Sequence, residues 1–148
     1  MRHAQLDLGT NKIGDEGAAA IGEALKVNGS LTSLDVKENR LGEVGWCAIF
    51  DALRDNPQNK IAKWELARQG ISSTIAKSLA AYLTVSSSLT SLDIAGDWNC
   101  CVEIGPDGAK AIGEALKLNG SLKEVRLASG HTAHTRPSDL TVRCVTHS

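Results

Sequence analysis

The stretch Leu31-Thr32-Ser33-Leu34-Asp35-Val36-Lys37-Glu38-Asn39-Arg40-Leu41 decides the fold, because its central pattern recurs along the chain. Leu34-Asp35-Val36 followed by Asn39 matches Leu6-Asp7-Leu8 followed by Asn11, 28 residues earlier. Later copies are Trp64-Glu65-Leu66 with Gln69, Leu92-Asp93-Ile94 with Asp97, and Val125-Arg126-Leu127 with Gly130. Self-similarity at a nearly fixed period is the sequence signature of a repeat architecture. Each copy is predicted to contribute one short strand.

A second periodicity follows each strand and predicts a helix. Apolar residues spaced i, i+3, i+4 lie on one helical face. The equivalent sets are Ile21, Ala24 and Leu25; Ile49, Ala52 and Leu53; Leu79, Tyr82 and Leu83; and Ile112, Ala115 and Leu116. The turns Asn28-Gly29-Ser30-Leu31 and Asn119-Gly120-Ser121-Leu122 follow two of these helices. We expect Asn-Gly to end a helix because either residue tolerates a positive φ.

The pattern Leu31-x-x-Leu34-x-Val36-x-x-Asn39-x-Leu41, followed by a helix, resembles leucine-rich repeats. The unit length of 28 residues resembles the ribonuclease-inhibitor subclass, which also forms the ligand-sensing part of NOD-like receptors. The resemblance covers residues 3–130. It implies an α/β fold, a leucine-rich repeat solenoid (short horseshoe) of about four and a half repeats. Parallel strands would lie on its concave face and helices on its convex face.

The residues at the asparagine position limit this resemblance. Ribonuclease inhibitor alternates Asn with Cys there, whereas this chain has Asn11, Asn39, Gln69, Asp97 and Gly130. The chain therefore does not resemble that inhibitor in particular. We expect the asparagine side chains to bond to backbone groups in the strand-to-loop turn.

Two regions are expected, a solenoid over residues 1–130 and a C-terminal tail over 131–148. Alternation in Leu140-Thr141-Val142-Arg143-Cys144 favours a short edge strand in the tail, and an irregular tail is the alternative.

Composition excludes several classes of protein. The 148 residues carry 16 basic and 17 acidic side chains, so the cationic excess of a nucleic-acid-binding protein is missing. No apolar run approaches the roughly 18–20 residues of a membrane span, and no signal peptide is visible. Four cysteines, two of them adjacent, do not form a secreted disulfide framework. We expect an intracellular, cytoplasmic protein.

One column of side chains on the concave sheet is the first candidate binding site. The two-residue strand period directs Asp7, Asp35, Glu65, Asp93 and Arg126 outward. Basic residues flank this column at Lys37, Lys63, Arg68 and Lys123. One interpretation is an acidic groove that captures a basic segment of a partner protein. The other is a generic feature of the repeat that keeps this face soluble.

The second candidate is an inserted loop in the fourth unit. Between Asp97 and Ile104 the chain has five more residues than in the first unit, Trp98 among them. Insertions of this kind map to one face of a solenoid, and an exposed Trp is a favoured interface anchor. Alternatively, Trp98 folds back over the neighbouring repeat. We assign Trp64, at a position of Leu in other units, to the core.

Catalytic and metal-binding patterns are not apparent in the sequence. Neither a phosphate-binding loop nor a nucleophile elbow occurs, and the histidines lie away from the repeat carboxylates. Cys100 and Cys101 are interpreted as ordinary loop thiols. The tail has zinc-ligand residue types that fit no known motif: His131, His134, Cys144 and His147. We therefore predict no catalytic residue, cofactor or metal.

These observations predict a non-catalytic protein–protein interaction module that binds through the concave sheet and the loop around Trp98. The alternative is an accessory subunit of a larger complex, because His3 stands where other units have Leu31 or Leu89 and solenoids need polar caps. A remote alternative is a GTPase-activating protein using Arg40, which follows Asn39 in a strand-to-helix loop.

Overall fold

The computed structural model describes residues 4–66, 69–94 and 104–126, in which strands and helices alternate. The elements are β1 (Ala4–Asp7), α1 (Gly14–Leu25), β2 (Leu31–Asp35), α2 (Glu43–Asp55), β3 (Lys63–Glu65), α3 (Ser73–Val85), β4 (Ser91–Asp93), α4 (Gly105–Leu118) and β5 (Glu124–Arg126). The strands form a parallel five-stranded sheet in sequence order, β1-β2-β3-β4-β5. The predicted alternation of strand and helix is confirmed.

The register of the sheet is the register of the sequence repeat. Leu6 pairs with Leu34, Trp64 with Leu92, and Leu92 with Val125. These positions point toward the helices and are buried, except in the edge strand β1, where Leu6 is 41% exposed. Because side chains alternate along a strand, the residues before and after each of these positions lie on the opposite face of the sheet.

An aromatic cluster forms the centre of the core. Trp64 is 1% exposed, so its assignment to the core is confirmed, and it packs edge-on against Trp46 and Phe50 with ring centroids 6.4 and 5.6 Å apart. Phe50 also stacks on Tyr82 at 6.4 Å. The Trp64 indole N–H and the Tyr82 hydroxyl are buried with no hydrogen bond of standard geometry, and burial raises the pKa of Tyr82 although Ser86 and Trp64 interact with its hydroxyl. Apolar packing rather than polar contact therefore holds this cluster.

The buried amide of Asn39 joins the first two units. Its Oδ1 accepts from the backbone N–H of Asn11 (2.6 Å) and of Ile13 (3.4 Å). Its Nδ2 donates to the carbonyls of Leu8 (2.7 Å) and Val36 (3.0 Å), among others. The expected bonding of asparagine to turn backbone is confirmed, and it reaches across units as well as within one.

A second set of asparagines also bonds to the backbone of the preceding unit, at the points where helices lead into strands. Asn56 Nδ2 donates to the carbonyls of Leu25 (2.7 Å) and Asn28 (2.8 Å) in the preceding unit. Asn119 Nδ2 likewise donates to Leu83 (2.7 Å). As expected, α1 and α4 end before Asn28-Gly29 and Asn119-Gly120, but none of these four residues has a positive φ. These turns are held by side-chain hydrogen bonds.

Asp15 of the first unit caps the helix of the second. Its Oδ1 accepts from the backbone N–H of Gly42 (2.7 Å) and Gly45 (2.9 Å), while α2 has no side-chain cap of its own. A Cβ at Gly42 would lie 2.9 Å from Asp15 Oδ2 and one at Gly45 would lie 2.5 Å from Oδ1, so a larger residue at either position would displace this carboxylate. The first turn of α2 therefore depends on a neighbouring unit.

We expect Asp15→Ala to lower the free energy of unfolding by about 1–2 kcal/mol, because two helix N–H groups lose their acceptor. Urea unfolding followed by circular dichroism measures the loss. The control is Glu16→Ala, an exposed residue in the same turn, with an expected change below about 0.5 kcal/mol. Equal effects of the two substitutions would refute capping between units.

Candidate protein-interaction surface

The face of the sheet opposite the helices carries two columns of polar side chains. The first contains Asp7, Asp35, Glu65, Asp93 and Arg126, aligned by pairings such as Asp7 with Asp35 and Glu65 with Asp93. The second lies two residues earlier on each strand and contains Gln5, Ser33, Lys63, Ser91 and Glu124. We call these ten residues the open sheet face. Neighbouring strands are about 4.8 Å apart, so charges in a column act on one another strongly.

The first two aspartates of the column also hold the chain at the ends of their strands. Asp7 Oδ1 accepts from the backbone N–H of Gly9, and Asp35 Oδ1 accepts from that of Lys37, each at 2.9 Å. An aspartate bonded to the N–H two residues on stabilises a tight turn. These two carboxylates therefore have a structural use that does not depend on any partner.

Glu65 is the centre of a chain of ion pairs. Its carboxylate bonds to Lys63 on the same strand and to Lys37 Nζ from the preceding unit, the latter at 3.1 Å. Lys37 Nζ also lies 3.4 Å from Asp35 Oδ2. The hydrogen bonds from Lys63 and Lys37 lower the pKa of Glu65, and the bond to Glu65 raises the pKa of Lys37. The acidic column is therefore interrupted at its middle by the chain's own lysines.

Two of the predicted flanking lysines therefore partly neutralise the acidic column. With Lys37 included, the open sheet face has five carboxylates and three basic groups, a formal net charge of −2. At the far end Arg126 Nε bonds to Glu124 Oε1 at 3.1 Å. The face is a mixed-charge surface with an acidic excess.

A shallow depression lies between β3 and β5. It is lined by Lys63, Glu65, Ser91, Leu92, Asp93, Glu124 and Arg126 and has a volume of about 100 Å³. Sites for small molecules usually have roughly 300–1,000 Å³. The depression therefore suits one or two side chains of a partner better than a separate ligand.

Two of the predicted site residues lie outside the part of the chain that the structure describes. Arg68 and Trp98 lie outside the described residues, as do Cys100, Cys101 and the tail 131–148. Lys123 is exposed just before β5. Glu124 and Ser91 were missed by the sequence reasoning, although the two-residue strand period assigns them to the same face as Arg126 and Asp93.

Arg40 lies in a loop with unusual backbone geometry. Its φ is 58°, in the left-handed region, and Gly70 has a φ of 67° at the equivalent position of the next unit. Thr10, Lys12 and Glu38 share this conformation.

Within the ranges that the structure describes, no three His, Cys, Asp or Glu side chains are grouped to hold a metal ion. None of the helices there has the length and apolar character that a membrane crossing requires.

Comparison with known proteins supports the repeat architecture. A family model described as "Leucine Rich repeat" matches residues 5–22, which include most of β1 and most of α1. The fold is a short leucine-rich repeat solenoid. A solved structure titled "Leiomodin-1 Actin-Binding Site 2 (ABS2)" is similar, with a TM-score of 0.66 and 18% sequence identity over 88% of this chain and 71% of that one. No curated protein matches the sequence.

The ion pairs of Glu65 predict a pH dependence of the solenoid's stability. Because the pKa of Glu65 is lowered from its ordinary 4.5, the pairs stabilise the fold above pH 4.5 and lose this effect as the pH falls through the folded-state pKa. Glu65 is nearly half exposed, so the effect is at most about 1 kcal/mol.

Urea unfolding at a series of pH values tests this. At low salt, the stability of wild type should fall more steeply with acid than that of Glu65→Gln. High salt should reduce the difference, since it screens exposed charges. Parallel pH profiles at low salt would contradict the assignment.

Proposed function

We propose that this solenoid is a non-catalytic protein-interaction module that binds a partner through its open sheet face and the loop around Trp98. The observation that carries the proposal is that one face of the sheet is buried and apolar while the other is exposed and charged. Inward residues such as Leu34, Trp64 and Leu92 are buried under the helices, while the outward charges contribute to no core. A rigid, charged and solvent-accessible sheet is the extended binding surface that solenoids use.

We assign the chain to the ribonuclease-inhibitor-like subclass. Helices of 12 to 14 residues follow the first four strands, and the first two units are 28 residues apart. Full helices in successive units and this unit length support the assignment.

The acidic excess of the face favours a partner with a basic segment. Asp7 and Glu65 are exposed, and Asp35 and Asp93 are partly so. Complementary charge speeds encounter and selects against acidic partners more than it adds affinity. The turn-forming role of Asp7 and Asp35 supports the alternative of a generic repeat feature, so Glu65, whose carboxylate pairs with two lysines, is the better probe.

The leiomodin structure supports recognition of a protein by a domain of this fold, since its title names an actin-binding site. At 18% identity the likeness extends to the fold and carries no partner with it. We therefore define the partner by its charge.

The accessory-subunit alternative has one observation in its favour. Leu6 is 41% exposed, and Ala20 and Ala24 of α1 are exposed, whereas the equivalent Ala52 is 1% exposed. In this alternative, the apolar edge of the first unit packs against a neighbouring subunit. Loss of binding after substitution at this edge, with the open sheet face intact, would distinguish it.

The test is affinity capture from the native source with three charge-altered variants. Glu65→Lys/Asp93→Lys changes the open sheet face. Glu23→Lys/Glu114→Lys makes the same charge change on the helices, at carboxylates that, like Glu65, pair with lysines. Ala20→Lys/Ala24→Lys changes the edge of the first unit.

We expect proteins captured by wild type and by the helix variant to be reduced at least tenfold with the open-face variant, as measured by quantitative mass spectrometry. Loss only with the edge variant would favour the accessory subunit instead. Unchanged capture by the open-face variant in low salt would rule out the proposed surface.

A further inference from the structure

We propose that Lys37 and Lys63 are intramolecular counter-ions that occupy the position of a partner's basic side chains, and thereby restrain binding to the open sheet face. The inference rests on the proposed function and adds its regulation. The partner it defines is a segment bearing ammonium or guanidinium groups.

Both lysines depart from the repeat pattern. The position of Lys37 is Gly9 in the first unit and Ala67, Ala95 and Ala128 in later units. The position of Lys63 is Gln5, Ser33, Ser91 and Glu124 elsewhere. A generic solubility feature would be expected to recur in each unit, whereas these two basic residues occur once each.

The two lysines converge on the one glutamate of the column. The units on either side have aspartate there, Asp35 and Asp93, and the longer side chain of Glu65 accepts from both ammonium groups. Three departures from the repeat thus meet at one point, near the centre of the face. The contacts also show which chemistry the carboxylates bind, because Lys37 Nζ lies 3.1 Å from Glu65 and 3.4 Å from Asp35.

The ion pairs are weak enough for a partner to displace. The side chains of Lys37 and Lys63 are 37% and 56% exposed, and Glu65 is 46% exposed. Exposed pairs of this kind contribute about 0.2–1 kcal/mol each. A partner with several basic groups can therefore compete with them, at a cost in affinity that removal of the lysines would recover.

Removing the two lysine charges would change the face substantially. Its formal net charge would go from −2 to −4, and Glu65 and Asp35 would lose the ammonium groups that now contact them. Removing the lysines that compete for Glu65 and Asp35 differs from making the whole chain more negative. A control variant that removes two lysines elsewhere on the chain measures the second effect by itself.

The experiment measures binding of a fluorescently labelled peptide of alternating lysine and glycine by anisotropy at low salt. The test variant is Lys37→Gln/Lys63→Gln. The control Lys26→Gln/Lys117→Gln removes the same charge from helix lysines that also pair with glutamates. Lys37→Arg/Lys63→Arg keeps the charge in place. Circular dichroism verifies that each variant is folded, and the single variants Lys37→Gln and Lys63→Gln repeat the test.

We expect Lys37→Gln/Lys63→Gln to bind the peptide about 3–10-fold more tightly than wild type, in line with the loss of three weak ion pairs. The arginine variant should bind like wild type, and the helix control should change by less than about twofold. Equal gains in the test and helix variants, or no gain, would overturn the inference. If Glu65→Lys/Asp93→Lys abolishes peptide binding while the lysine variant gains nothing, only this inference fails. If the open-face reversal leaves peptide binding and capture unchanged, the proposed function fails as well.

Discussion

The hydrogen bonds of buried asparagine side chains to the backbone of the preceding unit are the constraint on which the rest of this structure depends. Asn39 and Asn56 each accept or donate across the boundary between units, and both are at most 3% exposed. A backbone turn that is buried without such a partner would lose about 1–3 kcal/mol per group. Each asparagine therefore supplies hydrogen-bond partners that the backbone of the preceding unit lacks.

Because these hydrogen bonds and the core hold the fold, the residues on the outward face of the sheet are free to vary. The core is completed by the aromatic cluster around Phe50 and by aliphatic residues under the helices, so residues such as Glu65 and Lys63 can change charge at little structural cost. In a repeat protein, residues at such positions determine which partner is bound. The restraint that Lys37 places on Glu65 shows how one unit's surface can adjust the next.

The repeat pattern predicted the fold well because register in a solenoid follows from spacing alone. Aligning Leu6 with Leu34 and Trp64 with Leu92 in the sequence reproduced the sheet pairing. The ion pairs at Glu65 were not predictable in the same way, since they depend on rotamers of long side chains and on contacts between strands. Periodicity placed the charges on one face, but it could not state how they neutralise one another.

Native-state hydrogen exchange on Asn39→Ala is the most direct test of coupling between units. The account predicts that the amides of Asn11 and Ile13 lose protection, although they lie 26 or more residues away in sequence, because both donate to the Asn39 side chain. The control Asn11→Ala removes bonds to Leu8 and Gly9 within its own unit, so it should change only nearby amides. Faster exchange confined to residues around position 39 in Asn39→Ala would contradict the account.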